Sequence, residues 1–388
     1  MAKTIVVLGA GPAALPVIRQ TMRKLVLSSS DYKMVVVAPN THMLWPVAMP
    51  RVVVPGQLSL DKAMGPIDVD FKEYPADKFE HLLGTASTLD PNGKTVTVGL
   101  SAGGERSVSY DYLVVATGSS ARDDMPWKVL ESTEKTRERL SKLHSDVKRA
   151  SKIVVVGGGV TGVETAGEYG FEYSKNGSKE VYFVYSGELP FSSDIIDSAR
   201  KTAKTQLENL NVKLIPNSTV TKVTTQGDDT VLEITGKDGK VTSLTAGAYV
   251  PATGMTPNSS FAPASMLDSR GYIKQTKTLQ AEGHPDIFVL GDVGTLEINR
   301  VVMADAQGAH LLKALPEHIQ RGTAIPEYQL DTKNAYLITV GRSKGTGQMG
   351  TWKLPSIMAW MFKCRTMMTE VVEGWARGKR GSMVTYEK

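Results

Sequence analysis

Cysteine is nearly missing: Cys364 is the single one in 388 residues, so no intramolecular disulfide can form. That scarcity removes chemistry needing a redox-active cysteine pair, and it suits a reducing compartment. No apolar run reaches the roughly 18 residues a transmembrane helix requires. Met1-Ala-Lys-Thr leads straight toward a strand, so no secretory leader is expected, and Ala2 stands where N-myristoylation needs glycine. The six histidines, at 42, 81, 144, 284, 310 and 318, form no pair at metal-ligand spacing, and no bound metal is expected. A Ser-His-Asp nucleophile signature is also lacking. Charge of one sign is barely in excess, with 45 Lys+Arg against 40 Asp+Glu. That balance does not repel nucleotides or anionic membranes, and its longest basic cluster, Arg377-Gly-Lys-Arg380, does not specify nucleic acid.

What is present is a repeated nucleotide-cradling pattern. Gly9-Ala-Gly11-Pro12-Ala13-Ala14 follows Ile5-Val-Val-Leu8, and Gly157-Gly-Gly159-Val160-Thr161-Gly162 follows Ile153-Val-Val-Val156. Each reads as strand, tight turn and helix. The first glycine makes the turn, the second admits the backbone to a pyrophosphate, and the third position must be small for helix and strand to pack. Ala14 is small enough for that role. The helix N-terminus then offers N–H groups and a positive dipole end to a diphosphate. One copy could be an ordinary glycine-rich turn. Two copies, 148 residues apart by first glycine (157 − 9), argue for two dinucleotide sites in one chain.

Hydrophobic content of 41% and charged content of 22% fit a soluble globular chain, and the length suits two or three domains. Tyr110-Asp-Tyr-Leu-Val-Val-Ala116-Thr117-Gly118 ends a strand, and Tyr249-Val-Pro-Ala-Thr253-Gly254 repeats its ending. Helical spacing around Leu140, Leu143 and Val147 marks a connecting segment, and a helix after Gly162 carries Glu164 and Glu168. Asp286-Ile-Phe-Val-Leu-Gly291-Asp292 delivers an acid at a strand end. Met and Trp concentrate between Trp352 and Trp375, in a small C-terminal region.

This order of motifs resembles the two-dinucleotide-binding-domain flavoproteins of the pyridine nucleotide-disulfide oxidoreductase superfamily. Within it the chain is similar to the apoptosis-inducing-factor-like group, of the ferroptosis-suppressor, fungal type of FAD-dependent NAD(P)H:quinone oxidoreductase. Gly157 to Glu168, Gly341-Arg-Ser-Lys-Gly-Thr-Gly-Gln348 and Phe362-Lys363-Cys-Arg365 carry that likeness. It implies an α/β chain of two Rossmann-like domains in the glutathione-reductase-like arrangement, plus a small C-terminal α+β region. FAD would be held by 1–122 with 254–325, NAD(P)H by 123–253, and 326–388 would close over the flavin. The implied FAD contacts are the first motif, Ala116, Thr117 and Gly118, Gly291 with Asp292, Arg51, and Asn40 in place of the usual ribose-binding acid. The implied NAD(P)H contacts are the second motif with Glu164, and Thr253 and Gly254 are implied cofactor contacts where the two domains meet in sequence. Asp292 would bond the ribityl or phosphate region; a helix N-cap is its plainer role. Glu164 would lie near the nicotinamide and flavin rings, against the alternative of a surface glutamate, the expected place of Glu168. Lys363 would stabilise negative charge on flavin or quinone, or else be a solvated lysine beside Arg365. Ser186 and Glu188 leave the choice between NADH and NADPH open.

Leu354, Ile357, Met358, Met361 and Phe362 form an amphipathic stripe. It packs on a core or, with Trp352, Trp360, Trp375, Lys379 and Arg380 around it, touches a membrane. The latter accompanies an expected cytoplasmic location peripheral to a membrane such as a lipid droplet or the mitochondrial outer surface. The expected function is reduction of a quinone or similar small acceptor by NAD(P)H through FAD. Rivals are a reductase of an iron–sulfur protein, a secondary-metabolism flavoenzyme, and an FAD-bound signalling or DNA-binding protein.

Overall fold

The Val/Ile run before each glycine motif forms the middle of a parallel sheet, where both faces are covered and strands read as continuous apolar sequence. A computed structural model describes residues 2–297, 300–381 and 384–387. Strand β1 (Lys3–Leu8) sends Ile5 and Val7 into one core and Val6 and Leu8 into another. It pairs in parallel with β2 (Tyr32–Ala38) on one side and β3 (Tyr112–Val115) on the other. The whole eight-stranded sheet continues beyond β3 to His284–Val289 and Gln280–Ala281, and beyond β2 to Phe79–Asp90, Thr95–Leu100 and Glu105–Ser109. Helix α1 (Ala14–Thr21) follows the first motif, and α2 (Thr133–Arg149) carries Leu140, Leu143 and Val147 on its buried side.

The second unit repeats the plan. Strand β4 (Lys152–Val156) lies between β5 (Glu180–Val184) and β6 (Ala248–Pro251), in parallel register with both, and Lys213–Ile215 adds the fourth strand. Helix α3 (Val160–Tyr169) follows the motif and α4 (Asp197–Glu208) follows β5. Both motif helices run on into one wider turn, closed by Leu27 N–H to Met22 O and by Lys175 N–H to Gly170 O, each at 2.9 Å. A three-stranded antiparallel sheet, Ser218–Gln226, Asp229–Gly236 and Val241–Ala246, precedes β6. Helix α5 (Val301–Arg321) returns to pack on α1.

At the C-terminal end, β7 (Tyr336–Val340) and β8 (Lys344–Met349) form a hairpin extended by Trp352–Lys353 and a short helical segment from Ser356. The hairpin lies on the second unit: Gln348 Oε1 accepts from Ile196 N at 2.7 Å, and Gln206 donates to the Gly345 carbonyl at 3.0 Å. Trp375 corrects the expectation of an interfacial ring. It is fully buried, 5.1 Å from the Trp45 ring, and its indole N–H donates to Pro12 O at 2.8 Å. A large aromatic with one donor packs well in a core that supplies an acceptor.

Candidate functional site

Gly9 has φ +98°, and a Cβ there would run into the Ala116 carbonyl oxygen, so the turn after β1 accepts only glycine. Gly11, by contrast, faces open space. That space belongs to a cavity of about 930 Å³ bounded by 9–13, 116–121, Asn40, Gly291, Asp292 and the α2 side chains Lys135 and Arg139. Its volume is that of a cofactor pocket. Asp292 is buried and accepts from Ser119 Oγ at 3.0 Å and Lys128 Nζ at 2.7 Å. Thr117 Oγ1 donates to Asn258 O at 2.6 Å, stiffening the wall beside Gly118. Asn40 is also buried and donates to Leu130 O at 3.2 Å. A small-residue cradle open at Gly11, a helix N-terminus beside it and a buried carboxylate further along the cavity fit an extended dinucleotide such as FAD.

The second motif makes the same turn. Gly157 has φ +119°, its Cβ would lie 2.5 Å from Ala252 O, and Gly159 faces open space. A Cβ on Gly162 would press into the Gly157 carbonyl, so helix α3, which opens with Val160 and Thr161, can approach β4 only with glycine there. The motif is not part of the large cavity's wall. The loop after β5 folds back over it, with Phe191 N–H donating to Gly158 O at 2.7 Å. Thr253 packs beside Gly157, while Gly254, at φ +69°, lies against Arg122. Ser186 and Glu188 are exposed, and the neighbouring Arg200 is committed to the carbonyls of Pro190 at 3.0 Å and Phe191 at 3.3 Å.

One turn into α3, Glu164 is buried. Its Oε1 accepts from Thr339 N at 2.9 Å, Thr339 Oγ1 at 3.2 Å and Lys363 Nζ at 2.6 Å. The structure thus brings together Glu164 and Lys363, 199 residues apart, and Lys363 is buried rather than solvated. Neither is in the wall of the large cavity. Glu168 overturns the expectation of a surface glutamate, being 0% exposed. Arg51 grips it through Nε at 3.0 Å and a terminal nitrogen at 2.7 Å, and donates to the Cys364 carbonyl at 2.7 Å. Arg51, expected among the cofactor contacts, is therefore occupied by a carboxylate and lies outside the cavity wall. Burial raises the Glu168 carboxyl above its ordinary range against the opposing pull of Arg51. Burial also pushes the Cys364 thiol up to about 11, which leaves it protonated and unreactive near neutrality.

Sequence reasoning missed Lys128, Ser119 and Thr339, whose partners are 164, 173 and 175 residues away. No local pattern announces them. Glu168 did carry a signal: residues four apart share a helix face, so a buried Glu164 implies a buried Glu168.

The family model described as pyridine nucleotide-disulphide oxidoreductase matches residues 3–308. The oxidoreductase ptaL of Pestalotiopsis fici is 35% identical over 92% of this chain and 94% of its own. Ferroptosis suppressor protein 1 of Homo sapiens is 26% identical over 68% of this chain and 71% of its own. Among solved structures, the sulfide:quinone oxidoreductase of Aquifex aeolicus superposes with a TM-score of 0.74 at 16% identity, covering 97% of this chain and 92% of that one.

Proposed function

The chain belongs to the pyridine nucleotide-disulphide oxidoreductase family and uses FAD and NAD(P)H, and from that premise we propose that its electron acceptor is a quinone or similar small organic molecule. The balanced reaction is NAD(P)H + H⁺ + quinone giving NAD(P)⁺ + quinol. FAD, when bound, supplies the two-electron centre between donor and acceptor. The chain's own residues hold and shape. The first motif and Asp292 grip the cofactor, and the second motif receives NAD(P)H. Lys363, fixed by Glu164, offers a buried cation to negative charge developing on the acceptor.

The observation that carries the quinone reading is the abrupt change of environment at Phe362-Lys363. Phe362 is exposed while Lys363 is buried on Glu164. Around Phe362 stand exposed Ile357, Trp360 and Met361, with Trp352 80% exposed nearby in the chain. This apolar surface suits a lipophilic acceptor, and peripheral contact with a lipid surface would deliver one. No helix among the described residues is long and apolar enough to cross a membrane. The test is anaerobic stopped-flow absorbance with NADH, then NADPH, followed by a soluble ubiquinone. Rapid bleaching by one donor and rapid recovery with quinone are expected; a flavin that no quinone reoxidises overturns the acceptor.

A further inference from the structure

A second cleft, of about 590 Å³, lies away from both glycine motifs, where α4, the turn after α3 and the β7–β8 hairpin meet. Three lysines line it, Lys175 from the turn, Lys201 from α4 and Lys344 from the hairpin, and no carboxylate is among its walls. None of the three has an ion-pair partner among the described residues, whereas Arg342, next to the cleft, is tied to Glu172 at 2.7 Å. The three come from separate chain segments and are exposed, so the cleft presents an excess of positive charge to an entering anion.

The floor is not charged. Val340 is buried there, and the half-buried Phe171 ring carries the Lys175 ammonium on it at 5.1 Å and the Arg342 guanidinium at 5.1 Å. The Gln206 amide nitrogen is committed to the Gly345 carbonyl at 3.0 Å, which fixes the flip, and its Oε1 is buried with no donor. That oxygen is closed to solvent, so the residue's part in the cleft is to fix the wall between α4 and the hairpin.

We propose that this cleft binds a small organic anion with a flat apolar body: the charge meets Lys201 and Lys344, and the body lies on Phe171 and Val340. The site is separate from the redox centre, and its occupancy does not rest on the acceptor assigned above. It would bridge α4 to the hairpin whose Thr339 holds Glu164.

The probe is 2-naphthoate, titrated calorimetrically into the flavin-loaded protein at low salt beside its neutral carboxamide. Saturable binding of one naphthoate per chain is expected, with the carboxamide weaker by about tenfold or more. K201E/K344E should weaken naphthoate by about tenfold or more while flavin content and NAD(P)H-dependent bleaching stay unchanged. Should that variant lose flavin, K201Q/K344Q replaces it, with the same direction and a smaller effect. Equal affinity for both probes, an effect of neither variant, or no saturable naphthoate binding would overturn the proposal.

Discussion

Gly9 and Gly157 make one turn twice, each left-handed and each pressed against the carbonyl of the alanine that opens an Ala-Thr-Gly sequence. The repeat of Ala-Thr-Gly at 116–118 and 252–254 thus has a physical cause: β3 and β6 end beside the turn and must leave room for it. The two copies differ in where the tightest approach is relieved. In the second copy the motif itself supplies the space at Gly162, beneath the Gly157 carbonyl. In the first, Ala14 is tolerated, and the tight approach lies one residue earlier, where a Cβ on Gly308 of α5 would be 2.6 Å from Ala13 O. A glycine pattern read along the chain captures both turns, but not Gly308, a close approach that arrives from a distant helix.

The largest effect should come from cutting the link between the two units. Arg51 belongs to the first segment, Glu168 to the second motif's helix, and Cys364 to the C-terminal region. Arg51→Met leaves the buried Glu168 carboxylate with only the distant Arg342, at 3.9 Å, and should cost about 3–5 kcal/mol, read as a fall in melting temperature. Its pH dependence has a defined sign. Burial raises the folded Glu168 pKa above its ordinary value even with Arg51 present, and further without it. Between those two values the folded chain holds a proton the unfolded chain has released, so stability falls as pH rises through that window. The deficit of the variant should therefore be smaller at about pH 5 than at about pH 8. A deficit independent of pH would mean Glu168 is not the group left unpaired.

The next effect separates the two copies. Gly162→Ala should cost about 1–3 kcal/mol by overpacking and slow flavin reduction while flavin stays bound. Gly308→Ala should cost a similar amount but release flavin, because the strain falls on Ala13 at the first cradle. Calorimetric melting together with flavin absorbance after gel filtration distinguishes the two. If both variants lose flavin equally, the copies are not independent cradles.

What was legible in the sequence follows the same divide. The strand–turn–helix units, the Ala-Thr-Gly endings and the acid at Asp292 are contiguous patterns set by backbone sterics, and they lie in the structure where their residues suggested. Helix α2 was legible as a helix but not as a wall of the large cavity, because Lys135 and Arg139 face it only once 131–142 lies across β2's end. Lys128 and Thr339 were invisible, since their partners lie 164 and 175 residues away on other elements. The stripe at Leu354 to Phe362 predicted an apolar face, and periodicity alone could not say whether it is covered. Ile357, Met361 and Phe362 are exposed, and Leu354 and Met358 are half-buried.

The smallest effect sharpens the comparison at the strand ends that would meet each ribose. After β5 stand the exposed Ser186 and Glu188; after β2 stands Asn40, buried, donating to Leu130 O at 3.2 Å and accepting from Thr133 Oγ1 at 3.4 Å. A carboxylate there looks like a repair, since the usual ribose ligand is an acid. The geometry argues the reverse. Asp cannot donate to the Leu130 carbonyl, so Asn40→Asp sets two acceptors face to face in a buried place and should cost about 1 kcal/mol in flavin affinity. Equilibrium dialysis of flavin reads that loss. Tighter flavin binding by the variant would mean that the Leu130 contact gives way when the ribose is present, and that the missing acid, rather than the segment behind it, limits the first site.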